Sequence, residues 1–144
     1  MKKDNIIEEI EEKDLIQLQK LLKNVFNNNI NYEKMKDLYK KTKDNKNVYT
    51  IGYYINDNLI GTVTLNILTL PSGKEATIWD LAVQEEYRRL GIATKLMKRA
   101  EEIAKQQEIT RIWLFSGFHR KYAHKLYRNL GYDENRDKAF VKYI

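Results

Sequence analysis

A chain of 144 residues, 42% hydrophobic and 32% charged, is long enough for one core and too short for two ordinary domains, so a single domain over residues 1–144 is expected. The absence of cysteine excludes disulfides, thiolate metal sites and a cysteine nucleophile together. A formal charge of +6 favours acidic partners, but most lysines alternate with glutamates, as in EEKDLIQLQKLLK and KRAEEIAKQQE, which reads as solvated helix face rather than as a nucleic-acid stripe.

The N-terminal MKKDNIIEEIEEKD has no apolar run of signal-peptide length, and nowhere does the chain approach the roughly 18 consecutive apolar residues of a membrane span. A soluble, cytoplasmic protein with no membrane partner is expected. Asp14 is placed to cap a helix whose apolar positions Leu15, Leu18, Leu22 and Val25 recur at helical spacing. A second, shorter helix carries Tyr32, Met35, Leu38 and Tyr39 on one side, after an asparagine-rich loop. Beyond Asn47 the period changes to that of strands. NVYTIGYYI and LIGTVTLNIL are rich in β-branched and aromatic residues, and NDN between them predicts a hairpin turn. Alternation of Leu59, Val63, Leu65 and Ile67 with Thr62, Thr64 and Asn66 predicts a half-buried strand. A loop around the only proline, LPSGKE, leads to a third strand, ATIWDLAV.

Next comes a polar elbow and then a helix with Ile92, Leu96, Ala100, Ile103 and Ala104 along one stripe. TRIWLF reads as a strand, and a last helix with Tyr122, Ala123, Leu126, Tyr127 and Leu130 on one side ends at Gly131 as a left-handed cap. The tail YDENRDKAFVKYI has room for one or two further strands. Helices, then a meander, then strand–helix–strand imply a parallel crossover and a mixed α/β class.

The elbow RRLGIAT admits two readings. The plainer one is a turn and a helix cap. The other is an anion cradle: first-turn amides have no intrahelical partner, Gly91 and Ala93 leave room for a ligand, Arg88 and Arg89 bring charge, and Thr94 adds a hydroxyl. Context decides between them. The run WDLAVQEEYRRLGIATKLM resembles the coenzyme A signature of the GNAT superfamily of N-acetyltransferases, with arginine or glutamine, two residues, glycine, one residue, then glycine or alanine; the match falls on Arg88, Gly91 and Ala93. Downstream, SGFHRKYAHKLYRNLGY is similar to the closing helix of that family, at Ala123, Tyr127, Gly131 and Tyr132. The order of elements agrees over nearly the whole chain.

The resemblance implies a GNAT-like acyl-CoA N-acyltransferase fold: a mixed, mostly antiparallel sheet with a splayed parallel strand pair and helices on both faces. It implies that Leu81, Ala82 and Val83 pair with the pantetheine arm of acetyl-CoA, that Arg88 and the amides of Arg89, Leu90, Gly91, Ile92, Ala93 and Thr94 surround the pyrophosphate, and that Tyr127 meets the leaving sulfur as general acid. Direct attack by a primary amine in a ternary complex is then the simplest scheme, with no metal. A lysine-like amine, with a pKa of about 10.4, must first lose a proton. The N–H of Leu81 or of Val83 is a candidate to stabilise the resulting oxyanion. Transfer from a phenol near pKa 10 to a thiolate near 8.5 is uphill by about 2 kcal/mol, so Tyr127 is expected mainly to hydrogen-bond the sulfur. Its plainer reading is core.

Identity of the base stays open. Where many relatives carry glutamate this chain has Trp79, leaving Asp80, Glu75, His119, His124 or a water chain; Arg120 replaces an asparagine common seven residues before the tyrosine, and a phosphate or solvent is its expected contact. Trp79 with Tyr49, Tyr53 and Tyr54 are candidates for the wall of an acceptor pocket, or simply core. The acceptor is a small-molecule or peptide amine. Relatives often form a homodimer through their last strands, here FVKYI. Two other classes compete: a non-catalytic acyl-CoA-binding sensor or interaction module, kept open by Trp79, and a nucleic-acid binder, resting on charge alone and not expected.

Overall fold

The computed structural model describes residues 5–144. Its sheet has the order β1-β2-β3-β4-β5, built from β1 (Ile6–Glu9), β2 (Val48–Ile55), β3 (Asn58–Leu70), β4 (Gly73–Val83) and β5 (Ile112–Leu114). The first four strands pair antiparallel and β4–β5 pair parallel. Helices α1 (Leu15–Phe26) and α2 (Tyr32–Thr42) precede β2; α3 (Ile92–Gln106) makes the crossover from β4 to β5, and α4 (Lys121–Asn129) comes after β5. No described helix is long and apolar enough to cross a membrane.

Two apolar clusters lie on opposite faces of the sheet. Ile92, Leu96, Met97 and Ala100 of α3 bury their stripe against Leu65, Ile67, Ala76 and Ile78. On the other face Leu15, Leu18 and Leu22 of α1, with Met35 of α2, pack on Tyr54, Leu59 and Ala82. Each fully buried side chain of this kind contributes about 1.5–3 kcal/mol. The expected alternation of β3 holds from Val63 to Ile67, where Thr64 and Asn66 are the less buried residues, and fails at Thr62, where both faces are covered. Thr62 is buried, and its hydroxyl donates to the Ile51 carbonyl at 2.9 Å, which satisfies the only polar atom it carries inward.

Register brings a second difference. Tyr54 pairs with Leu59 but Tyr53 pairs with Gly61, so Ile60 is an extra residue and a β-bulge. A bulge inverts the parity of the residues after it, placing Leu59 on the α1 side and Val63, Leu65 and Ile67 on the α3 side. The predicted hairpin at NDN is a tight turn with Asn56 (φ 51°) and Asp57 (φ 66°) both left-handed, as two-residue turns require. The loop expected around Pro71 shrinks likewise, with Leu70 opposite Gly73 in the ladder.

Three other expectations change. The strand β1 lies in a segment read only for what it lacked. Asp14 does not cap α1 with its side chain; it ends a 3-10 turn at Glu12–Asp14 and is buried, where its Oδ2 accepts the Tyr54 hydroxyl at 2.8 Å and the Glu11 N–H at 3.2 Å. Those two donors offset part of the large cost of burying a carboxylate. The tail beyond Tyr132 forms no strand. A strand needs a partner ladder, and this segment's side chains stand in solvent, Phe140 at 88% and Tyr143 at 94% exposure. The last helix closes as expected, with Gly131 at φ 92° behind α4.

Candidate active site

The site arises where β4 loses its neighbour. Parallel pairing with β5 runs through only Ala76–Ile112, Thr77–Trp113 and Ile78–Leu114, and β4 continues to Val83 without it. On its other edge β4 carries a bulge: Trp79 pairs with Thr64 and Ala82 with Thr62, so Asp80 and Leu81 together oppose one residue of β3. Asp80 takes φ 54°, a left-handed conformation that aspartate tolerates better than most side chains. The strands part at this point.

A cavity of about 660 Å³ opens in the gap. It is lined by Asp80, Leu81, Ala82, Val83, Arg88, Arg89, Gly91, Ile92, Ala93, Thr94 and Tyr127. Those are the residues expected to hold the cofactor or act in catalysis, brought together from β4, the elbow and two helices. Leu90 is the exception, since its side chain is exposed and does not line the cavity, leaving only its main chain to take part.

Geometry at the elbow suits an anion. A 3-10 turn at Glu85–Tyr87 leads into Arg89 (φ 65°) and Gly91 (φ 78°), two left-handed residues that fold the chain back on itself. The ladder of α3 begins with the Lys95 N–H on the Gly91 carbonyl at 3.1 Å, so the amides of Ile92, Ala93 and Thr94 precede it. No side chain caps the helix, and a Cβ built on Gly91 would meet nothing within 4 Å. A fifteen-residue helix thus directs its positive end into open space in the cleft.

Two arginines are held by the protein. Arg88 Nε donates to the Val83 carbonyl at 3.4 Å and its Cζ stands 5.2 Å from the Tyr122 ring, tying the elbow to the start of α4. Arg120, half-buried and also lining the cavity, makes contacts the sequence did not suggest: its Nη2 donates to the Val25 carbonyl at 3.2 Å and its Cζ lies 4.3 Å from the Phe26 ring, joining the start of α4 to the end of α1. The second contact spans most of the chain, so no local pattern announces it. On β4, the Gln84 N–H donates to Ile60 at 2.9 Å across to β3, and the alternation of a strand turns the main-chain groups of Val83 to the opposite edge, toward the gap.

Burial pushes the Tyr127 phenol above its ordinary pKa, with the Arg120 charge pulling it down and Tyr122 adding to the rise. Its ring packs at 66° and 6.1 Å on Tyr132, whose hydroxyl donates to Glu101 at 2.9 Å. Asp80 lines the cavity while remaining solvent-accessible, and desolvation lifts its carboxyl above the usual range. Of the other candidate bases, Glu75 pairs with Arg111 at 3.4 Å, His124 Nε2 lies 3.1 Å from the Ser116 hydroxyl, and neither these nor His119 lines the cavity. Trp79 lines it; Tyr53 and Tyr54 are core, and Tyr49 packs on that core, so the three tyrosines are not its wall. Phe26, Phe115, Ser116 and Gly117 also line it, residues that sequence reasoning assigned to no site.

Residues 15–132 match the model of the acetyltransferase (GNAT) family. No curated relative matches the sequence. Among solved structures, a protein of Bacillus halodurans C-125 titled a transcriptional regulator superposes with a TM-score of 0.84 at 24% identity, covering 96% of this chain and 99% of its own. An aminoglycoside acetyltransferase from an uncultured soil metagenomic sample, in complex with trehalose, gives 0.81 at 23%, covering 96% and 95%. A predicted acetyltransferase from Clostridium acetobutylicum, solved with acetyl-CoA, gives 0.80 at 18%, covering 95% of each chain. At these identities the likeness establishes the fold.

Proposed function

This chain belongs to the acetyltransferase (GNAT) family, and from that premise we propose that its single domain, residues 1–144, transfers an acetyl group from acetyl-CoA to a primary amine by direct attack in a ternary complex. One observation carries the reading: an uncapped helix start, with open space at Gly91, faces the same cleft as the free edge of β4 and Tyr127. When bound, acetyl-CoA supplies the acyl group as an activated thioester.

The chain's own residues divide the remaining work. The amides from Arg89 to Thr94 hold the pyrophosphate, Leu90 through its main chain alone, and Arg88 stiffens the elbow by its bond to Val83. Main-chain groups of Leu81, Ala82 and Val83 align the pantetheine arm, and the N–H of Leu81 or of Val83 offers a preorganised donor to the carbonyl oxygen. Asp80 takes the proton of the amine. Desolvation raises its carboxyl, which makes it a stronger base than an ordinary aspartate. Tyr127 donates a hydrogen bond to the departing sulfur, since burial makes its phenol a poorer acid and full transfer less favourable still. The acceptor is a small-molecule or peptide amine, no step calls on a metal, and the exposed tail at Phe140–Ile144 is where a second copy docks.

The decisive experiment is calorimetry with acetyl-CoA at low ionic strength, followed by thiol release against a panel of amines. Binding plus amine-dependent thiol release is expected. Absence of affinity for acetyl-CoA would overturn the reading. A second reading, an acyl-CoA sensor without turnover, is favoured by Trp79 in place of an acidic residue; tight binding with no thiol release from any amine would select it.

A further inference from the structure

On the face of the sheet beside the bulge stand aromatic rings, two of which line the cavity with Val25 and Phe26 of α1. Ala76 and Ile78 of β4, like Ile112 and Leu114 of β5, pack in the cluster under α3, so the residues alternating with them stand on the opposite face. Three of these form one contiguous patch. Trp79 lies 6.0 Å from Phe115 at 57°, and Phe115 meets Trp113 edge-on at 5.1 Å. Trp79 and Phe115 remain 45% and 49% exposed, and both line the cavity next to Asp80.

The polar atom of the Trp79 ring is already engaged. Trp79 Nε1 donates to the Thr77 hydroxyl at 2.7 Å, so the indole offers only carbon to whatever enters. Charge narrows the choice further. Among the described residues lining the cavity, Asp80 is the one carboxylate, against Arg88, Arg89 and Arg120. A molecule with several ammonium groups would find one carboxylate for one of them and leave the others desolvated against the aromatic rings.

Resting on the acetyl-transfer reading and deepening it, we propose that the acceptor is a monoamine carried on a flat aryl body, with its ring on the Trp79–Phe115 wall and its nitrogen at Asp80. Transfer makes the C–N bond of the amide and breaks the C–S bond of the thioester. The ammonium loses two protons, one through Asp80 to solvent and one that ends on the released thiol. Trp79 is therefore a specificity residue, standing in the strand position where related enzymes often carry an acid.

The test titrates phenethylamine, n-hexylamine, spermidine and kanamycin into the full chain saturated with coenzyme A, alongside thiol release from acetyl-CoA with each amine. Phenethylamine is expected to bind about tenfold or more tighter than n-hexylamine, as one aromatic contact of about 1.4 kcal/mol gives, and tighter still than either polycation. Trp79→Ala should erase that preference through KM rather than kcat, without changing the Kd for acetyl-CoA, and Trp79→Phe should restore most of it. Selective aryl binding without thiol release would sink the transfer reading and keep the wall. Faster turnover of spermidine or kanamycin than of phenethylamine would keep transfer and overturn the wall. A Trp79→Ala variant with an unchanged amine ranking but an altered sedimentation coefficient would overturn it too, by assigning these rings to a second copy.

Discussion

Tyr127 and Asp80 have pKa values raised by the same cause, desolvation, with opposite consequences for their chemistry. A raised phenol holds its proton more firmly, so Tyr127 remains a donor across the neutral and mildly alkaline range and contributes no alkaline limb there. Tyr127→Phe should lower kcat about 10²-fold, as loss of a positioned acid or donor does, while the Kd for acetyl-CoA stays unchanged; a kcat equal to the parent's at saturation would refute the role. A raised carboxyl needs higher pH to ionise. The acid limb of kcat/KM should therefore lie above the ordinary aspartate range, with activity falling as pH drops through it. Asp80→Asn, which keeps a side chain tolerant of φ 54°, should lower kcat/KM about 10²-fold and abolish that limb, measured as a pH profile. A profile of unchanged shape would move the base elsewhere.

Among the elements, the elbow and α3 form the unit on which binding depends. At Gly91 two demands coincide, a φ of 78° that a β-branched residue rarely accepts and space that a ligand must fill. Gly91→Val should weaken acetyl-CoA binding tenfold or more and destabilise the fold by about 1–2 kcal/mol, whereas Gly91→Ala should show a smaller part of each, read by calorimetry and by denaturant unfolding. This unit was legible in the sequence, because a glycine, a small residue and paired arginines sit next to each other where a strand ends. So were the stripes of α1 and α3, whose buried positions recur at helical spacing. The bulges were not. Ile60 and Asp80 become extra residues through pairing with a neighbouring strand, and nothing in their own side chains marks the event beyond the tolerance of Asp80 for a left-handed turn. The four-residue β1 was invisible for a related reason, since Ile6–Glu9 is too short to establish a period and its partner lies more than forty residues away. The contacts of Arg120 were not legible either, because Val25 and Phe26 belong to the first helix.

For the molecule as a whole, the chain is organised as two cores sharing one sheet, with an apolar tail outside both. Phe140, Val141, Tyr143 and Ile144 bury nothing in this fold, so removing residues 139–144 should change the unfolding free energy of an isolated copy by no more than about 0.5 kcal/mol. If the tail joins two copies, as proposed, the same deletion should shift the sedimentation coefficient from that of a dimer to that of a monomer. An unaltered coefficient would remove the tail from the interface. The three-rung seam between β4 and β5 has a consequence of its own. Three pairs are a small cooperative unit, easily pried open, and the five residues from Trp79 to Val83 lack a rung on that side. A guest seated there as proposed would act as a missing sixth strand, and amide exchange along that margin should slow in step with the guest's concentration.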